Sequence, residues 1–273
     1  MTTYSISTSV AEDAPRAVAL EAIVQAGFRH VELVCDEGHL DDWMADPAGM
    51  RRDLEAQGLT ALSVHLPSSA CNVGHPDATI RQAAIAVAVD TFRQASEVGA
   101  GIVICHPNTP DNPFTEENFA AGMARSRASL AEMAGHAAEI GVRMAVENLP
   151  ARHLPRPGST IAHVLELIDG LSEDVAGICL DVGHANANEK SAAQEALAAG
   201  DRLLALHLQD NDGLGQDQHL LPGRGTTDWD AFLRAMAELD GDVIHTFEVK
   251  PVGSLAATLE ILAGLRDEWT RVV

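Results

Sequence analysis

A chain of 273 residues with 46% hydrophobic side chains is long enough for one large core and has the composition of a globular protein. Its 18 Lys and Arg against 40 Asp and Glu give a formal net charge of −22, a field that repels nucleic-acid backbones and acidic membrane surfaces but concentrates cations. No apolar run of membrane-spanning length and no basic-then-hydrophobic leader is present, so the reading is a soluble, cytoplasmic protein with neither membrane nor nucleic acid as partner.

Short apolar runs predict strands at 4–9, 30–35, 59–66, 101–106, 142–149, 176–183, 203–210 and 243–249. Helical patterns fall between them, near 15–26, 46–57, 77–98, 115–140, 159–169, 189–200, 228–239 and 254–268. Pro15 suits a first helical turn, and Ser159 and either Thr227 or Asp228 suit N-caps. Gly27, Gly58, Gly99, Gly141 and Gly200 fall where helices should end. Strand followed by helix, repeated around the chain, is the arithmetic of a single-domain (β/α)8 TIM barrel over 1–273. The rival, an open doubly wound sheet, usually carries a glycine-rich loop after its first strand, and STSVAEDAP has no glycine. The four cysteines show no C-x-x-C spacing and read as reduced, buried thiols.

The strand ends carry the chemistry. His65, His106, Glu147, Asp181, His207 and Glu248 each close an apolar run, as in ALSVHLP, GIVICHP, RMAVENLP and VIHTFEVK. A lone residue of this kind is ordinarily a hydrogen-bonded strand end or a cap. Three carboxylates late in apolar strands, however, repel one another unless protons or cations intervene. Histidines beside carboxylates are what Zn, Mn or Co accepts. His184 in DVGHA stands three residues from Asp181, and Asp217 and His219 form a D-x-H in the long loop after strand seven. One or more divalent cations at the carboxyl end of the barrel is the economical solution.

The segments SVHLP, VICHP, VENLP, LDVGHAN, LHLQDND, DQHLLPGRGTTDW and FEVK, spread from strand one to strand eight, resemble the xylose-isomerase-like barrel superfamily. That superfamily holds sugar-phosphate isomerases and epimerases and the endonuclease IV-type AP endonucleases. Similarity to its single-metal epimerases implies Glu147, Asp181, His207 and Glu248 as metal ligands. Similarity to the endonucleases implies a three-zinc site of His65, His106, Glu147, Asp181, His184, His207, Asp217, His219 and Glu248. Arg224, in GRG, stands where the endonuclease pattern has an acid.

The expected activity is isomerisation or epimerisation of a sugar or sugar phosphate, by proton transfer through an enediolate stabilised by a divalent ion (Zn, Mn, Co or Mg, one to three per chain). Glu147 and Glu248 would exchange the proton. Arg224 would meet a phosphate, carboxylate or hydroxyl, or join an ion pair. His184 would orient a hydroxyl or bind metal, and Glu32 would bind substrate or form a structural salt bridge. The alternative is a multinuclear zinc phosphodiester hydrolase.

Overall fold

The computed structural model describes residues 2–11, 14–35, 39–67, 71–110, 115–151 and 156–272. The segments 67–76, 106–114 and 149–158, each between an expected strand and the next helix, therefore fall partly outside the described residues.

Eight parallel strands close into a barrel in sequence order: β1 (Thr3–Ser7), β2 (His30–Val34), β3 (Thr60–His65), β4 (Ile102–Cys105), β5 (Arg143–Glu147), β6 (Ala176–Asp181), β7 (Leu203–Leu208) and β8 (Ile244–Phe247). Closure comes from β8 pairing with β1, Thr3 opposite Ile244 through Ile6 opposite Phe247. The helices are α1 (Arg16–Gln25), α2 (Pro47–Gln57), α3 (Ala78–Val98), α4 (Glu116–Ile140), α5 (Ile161–Ile168), α6 (Val182–Ala187), α7 (Ala192–Ala199), α8 (Trp229–Met236) and α9 (Leu255–Trp269). This is the single (β/α)8 TIM barrel that the alternation predicts.

Local chemistry fixes the helix starts. Asp46, Asp77, Thr115 and Asp228 each accept a backbone N–H from the first turn. Thr160, rather than the expected Ser159, caps α5 through its hydroxyl on the His163 N–H. Pro15 precedes the first helical residue. The short α6 is an addition to the expected pattern: the 176–183 run ends as strand at Asp181, whose carboxylate then caps a helix and accepts the His184 N–H.

Strand alternation sorts the core into two layers. Val103, Cys105, Met144 and Val146 join the large apolar cluster beneath the helices. Ile104, Ala145, Cys179 and Ala205 form a small cluster on the opposite, inward face. Two residues further along each of those four strands stand His106, Glu147, Asp181 and His207, so every one lands above an apolar floor. All four cysteines are buried and in no disulfide. Trp43 is buried too, its indole N–H donating to Val34 O at 2.8 Å, and so packs rather than projects. No helix among the described residues is long and apolar enough to cross a membrane.

Candidate metal centre

The nine strand-end and loop residues do converge. A cavity of about 260 Å³ at the carboxyl end is lined by His65, His106, Glu147, His184, Asp217, His219 and Glu248, with Val34, Leu66 and Val249 as apolar wall. Asp181 and His207 lie fully buried rather than on that lining. Glu147 is the hub. Its Oε2 is 2.9 Å from His106 Nε2 and 3.4 Å from His65 Nε2, and its Oε1 is 3.2 Å from His184 Nδ1 and 3.4 Å from His207 Nδ1. His207 Nδ1 also lies 3.0 Å from Glu248 Oε2 and 3.9 Å from Asp181 Oδ2. Asp217 sits between His184 Nε2, at 3.2 Å, and His219 Nε2, at 3.1 Å.

These residues fit a divalent cation. One ligand atom from each of Glu147, Asp181, His207 and Glu248 lies within 4.8 Å of the others, and His65, Glu147 and His207 form a second such group. His207 Nδ1 and His184 Nε2 are buried without a hydrogen bond, which is costly for a polar atom unless something else meets it. Imidazole nitrogen mixed with carboxylate oxygen is a donor set for Zn, Mn or Co.

The electrostatics describe the same demand. Burial opposes charge on His65 and His219, yet Glu147 beside the first and Asp217 beside the second push both up to about 9. His184 and His207 are likewise held well above the ordinary imidazole value against their burial, by the surrounding carboxylates. His106 goes the other way, since burial outweighs Glu147. Glu147 stays well below the usual carboxylate range and Glu248 falls to about 2, because His207 and its neighbours overcome desolvation. Burial lifts Asp181 to about 6. The carboxylates draw protons onto the rings, the role a divalent charge fills more compactly.

Several supporting residues stand beside the candidate ligands. Gln209 donates from Nε2 to Asp217 Oδ1 at 3.0 Å and to Asp181 Oδ1 at 3.2 Å, tying the two carboxylates together. Gly183 is needed beside it, for a Cβ there would meet the Gln209 carboxamide at 2.2 Å. Asn148 clasps Asp181 with two main-chain hydrogen bonds, of 2.7 and 3.0 Å. Asp210 anchors the long loop, accepting from the N–H groups of Asn211, Gly223, Gly225 and Thr227 and from the Trp229 indole. Burial disfavours its charge, but those donors hold the Asp210 carboxyl below its ordinary value. His219 has a left-handed backbone, φ 52°, a strained state that the anchored loop maintains at the site.

Two expected substrate contacts lie elsewhere. Arg224 is exposed and outside the cavity lining, because the glycines flanking it turn inward to Asp210. Glu32 is fully buried, outside that lining, with Oε1 3.1 Å from His207 Nε2. Of the two roles anticipated for it, the salt bridge matches this position. Lys250, which the sequence did not single out, does line the cavity, and its backbone N–H donates to His219 O.

A closed barrel whose strand ends gather histidines and carboxylates around a cation-sized gap defines a metal-binding TIM-barrel enzyme. The chain belongs to the xylose isomerase-like TIM barrel family, whose model matches residues 20–267. It is 27% identical over 238 residues to the L-ribulose 3-epimerase of Methylomonas sp. (strain DH-1), spanning 84% of this chain and 77% of that protein. It is 24% identical over 246 residues to the ketose 3-epimerase of Arthrobacter globiformis, spanning 90% and 81%. A solved D-tagatose 3-epimerase-like protein superposes with a TM-score of 0.84 at 21% identity, over 99% of both chains.

Proposed function

We propose that the chain is a divalent-metal-dependent isomerase or epimerase of a small polyhydroxylated carbonyl compound, a ketose or its phosphate, with one ion held by Glu147, Asp181, His207 and Glu248. The observation that carries this is the pairing of Glu147 and Glu248. They arrive from β5 and β8, both line the cavity, and both reach His207 Nδ1, at 3.4 and 3.0 Å. When bound, the ion supplies positive charge that draws electrons from a carbonyl and acidifies the neighbouring C–H bond.

The remaining chemistry belongs to the chain. Glu147 and Glu248 are both held ionised, so either can accept the proton. Their placement on separate strands lets one take the proton from one face of the carbon while the other, once it has taken up a proton from solvent, delivers it to the opposite face. His184, with Nδ1–H on Asn148 O at 2.8 Å, and His219, with Nδ1–H on Glu248 O at 3.1 Å, turn Nε2 toward Asp217 and the cavity, where a substrate hydroxyl would find them. Val34, Leu66 and Val249 exclude water from one side. The identity of two relatives as sugar 3-epimerases supports proton exchange at a carbon next to a ketone.

The test is metal content per chain together with solvent deuterium incorporation into a panel of ketoses and ketose phosphates. One exchangeable ion and label entering at the carbon beside the carbonyl is the expected result. The crowding of His65, His106, His184, Asp217 and His219 around the quartet is what a hydrolase with several zinc ions would also use. Two or three tightly held Zn, with phosphodiester cleavage and no deuterium uptake, would overturn the epimerase reading.

A further inference from the structure

Three of the cavity imidazoles are oriented in one way. His65 gives its Nδ1–H to Leu66 O at 2.7 Å, His184 to Asn148 O at 2.8 Å and His219 to Glu248 O at 3.1 Å. Each thereby turns Nε2 toward a carboxylate: His65 toward Glu147, His184 and His219 toward Asp217. A main-chain carbonyl fixes the tautomer in every case.

His207 is reversed. Its Nδ1 faces Glu248 and Glu147, and its Nε2 points back into the barrel, where no hydrogen bond meets it. What it finds there is Glu32, whose Oε1 stands 3.1 Å away in an oblique charge contact, with both side chains fully buried. The other oxygen, Oε2, accepts the Ser63 hydroxyl at 2.7 Å, and Glu32 and Ser63 are register partners on β2 and β3. An ionised carboxylate sealed inside a barrel is expensive to keep. This one has a hydroxyl on one oxygen and an imidazole on the other, and it does not touch the cavity.

We infer that Glu32 is a positioning residue for His207: its charge, 3.1 Å from Nε2, holds the ring with the Nδ1 lone pair turned to Glu147, Asp181 and Glu248, while Ser63 fixes the carboxylate. The inference rests on the reading that this quartet holds an ion. It assigns β2 and β3 a share in building the metal site, although neither Glu32 nor Ser63 would be a ligand.

The experiment is a Co2+ titration of metal-stripped full-length protein, followed by the visible absorption of the bound ion, in wild type, Glu32→Gln, Glu32→Ala and Ser63→Ala. Loss of the orienting carboxylate in Glu32→Ala should weaken Co2+ binding by roughly 10- to 100-fold and alter the absorption bands. Glu32→Gln keeps an acceptor but not the charge, and should recover part of that loss. Ser63→Ala should weaken binding several-fold, about the smallest effect of the three. A purely core-filling role would lower the melting temperature of the alanine variant yet leave affinity and spectrum unchanged. The near-isosteric Glu32→Gln and Ser63→Ala variants decide the matter if Glu32→Ala does not fold. Co2+ affinity in both within about twofold of wild type, with unchanged bands, overturns the inference. A wild-type protein that takes up no Co2+ overturns the metal-quartet reading and this inference with it.

Discussion

His207 and His245 lie on neighbouring strands, both almost wholly out of solvent, and the two ends of the barrel make opposite use of them. Burial opposes a charge on each. At the carboxyl end, Glu248, Glu32 and Glu147 outweigh it and hold His207 well above the ordinary imidazole value. At the amino end burial prevails: it takes His245 down to about 4, its Nδ1–H resting on Val243 O at 3.1 Å beside the Tyr4 ring. The same side chain at similar depth is a charged member of a histidine–carboxylate cluster in one place and a neutral packing element in the other. Site chemistry and stability thus separate along the barrel axis, as they do in this fold generally.

The sharpest way to break that division is to neutralise carboxylates at the active end. Glu147→Gln and Glu248→Gln, each nearly isosteric, should lower the rate of solvent deuterium exchange into a responsive ketose by about 100- to 10,000-fold. Far-ultraviolet circular dichroism should remain that of the wild type. Normal exchange in Glu248→Gln would remove that residue as a proton carrier. His245→Asn, at the opposite end, should leave turnover unaltered.

Most of this contrast was legible in the chain. The 3.6 and 2.0 periodicities, broken by glycines and capping acids, are local signals, and eight repeats of them leave few other topologies. The clustered residues were legible because a charged residue two positions past Ala145, Cys179 or Ala205 is anomalous within an apolar strand. What supports them was not. Gln209, Ser63 and Asp210 are ordinary polar residues in sequence, and their partners lie 8 to 31 residues away across the strand ends. Arg224 drew attention by standing in GRG where the endonuclease pattern has an acid, and the glycine after it is fixed by packing, since a Cβ on Gly225 would meet Asn211 O. The first turn of α6 was hidden by Val182, a residue as suited to continuing a strand as to opening a helix.

Acid should expose the amino end next. His245 binds its proton near pH 6.5 when unfolded and only near pH 4 when folded. Its contribution to stability is therefore complete above about pH 6.5, falls as pH drops through that window, and is lost below about pH 4, roughly 3 kcal/mol in all. His245→Asn keeps a donor for Val243 O without the titration. The difference in unfolding free energy between variant and wild type should accordingly change across pH 6.5 to 4. A constant difference would show that His245 is hydrated in the folded protein. Chelation tests the other end by a slightly smaller amount: stripping an ion present at a hundredfold over its Kd should cost about 2.7 kcal/mol. That loss, read as a fall in melting temperature, should be equal in wild type and His245→Asn if the two ends are independent.

The smallest expected effect concerns the rim. Among the described residues, Lys250 is the Lys or Arg that lines the cavity, standing beside Glu248 and His219 where, Ser9 apart, the walls are otherwise acid, imidazole or apolar. A cation there has little to attract in a neutral ketose, whereas a phosphate on the far end of the substrate would gain a partly exposed ion pair worth on the order of 1 kcal/mol. Lys250→Met should thus raise KM for a ketose phosphate by about 5-fold and leave both KM for the unphosphorylated sugar and kcat for either unchanged. Arg224→Met is the control, because its side chain is exposed beyond the cavity and should alter neither KM. Equal KM changes for both sugars would make Lys250 part of the wall and move the preference toward neutral substrates. A shift from Arg224→Met alone would mean that the Asp210-anchored loop folds over the cavity when substrate is bound.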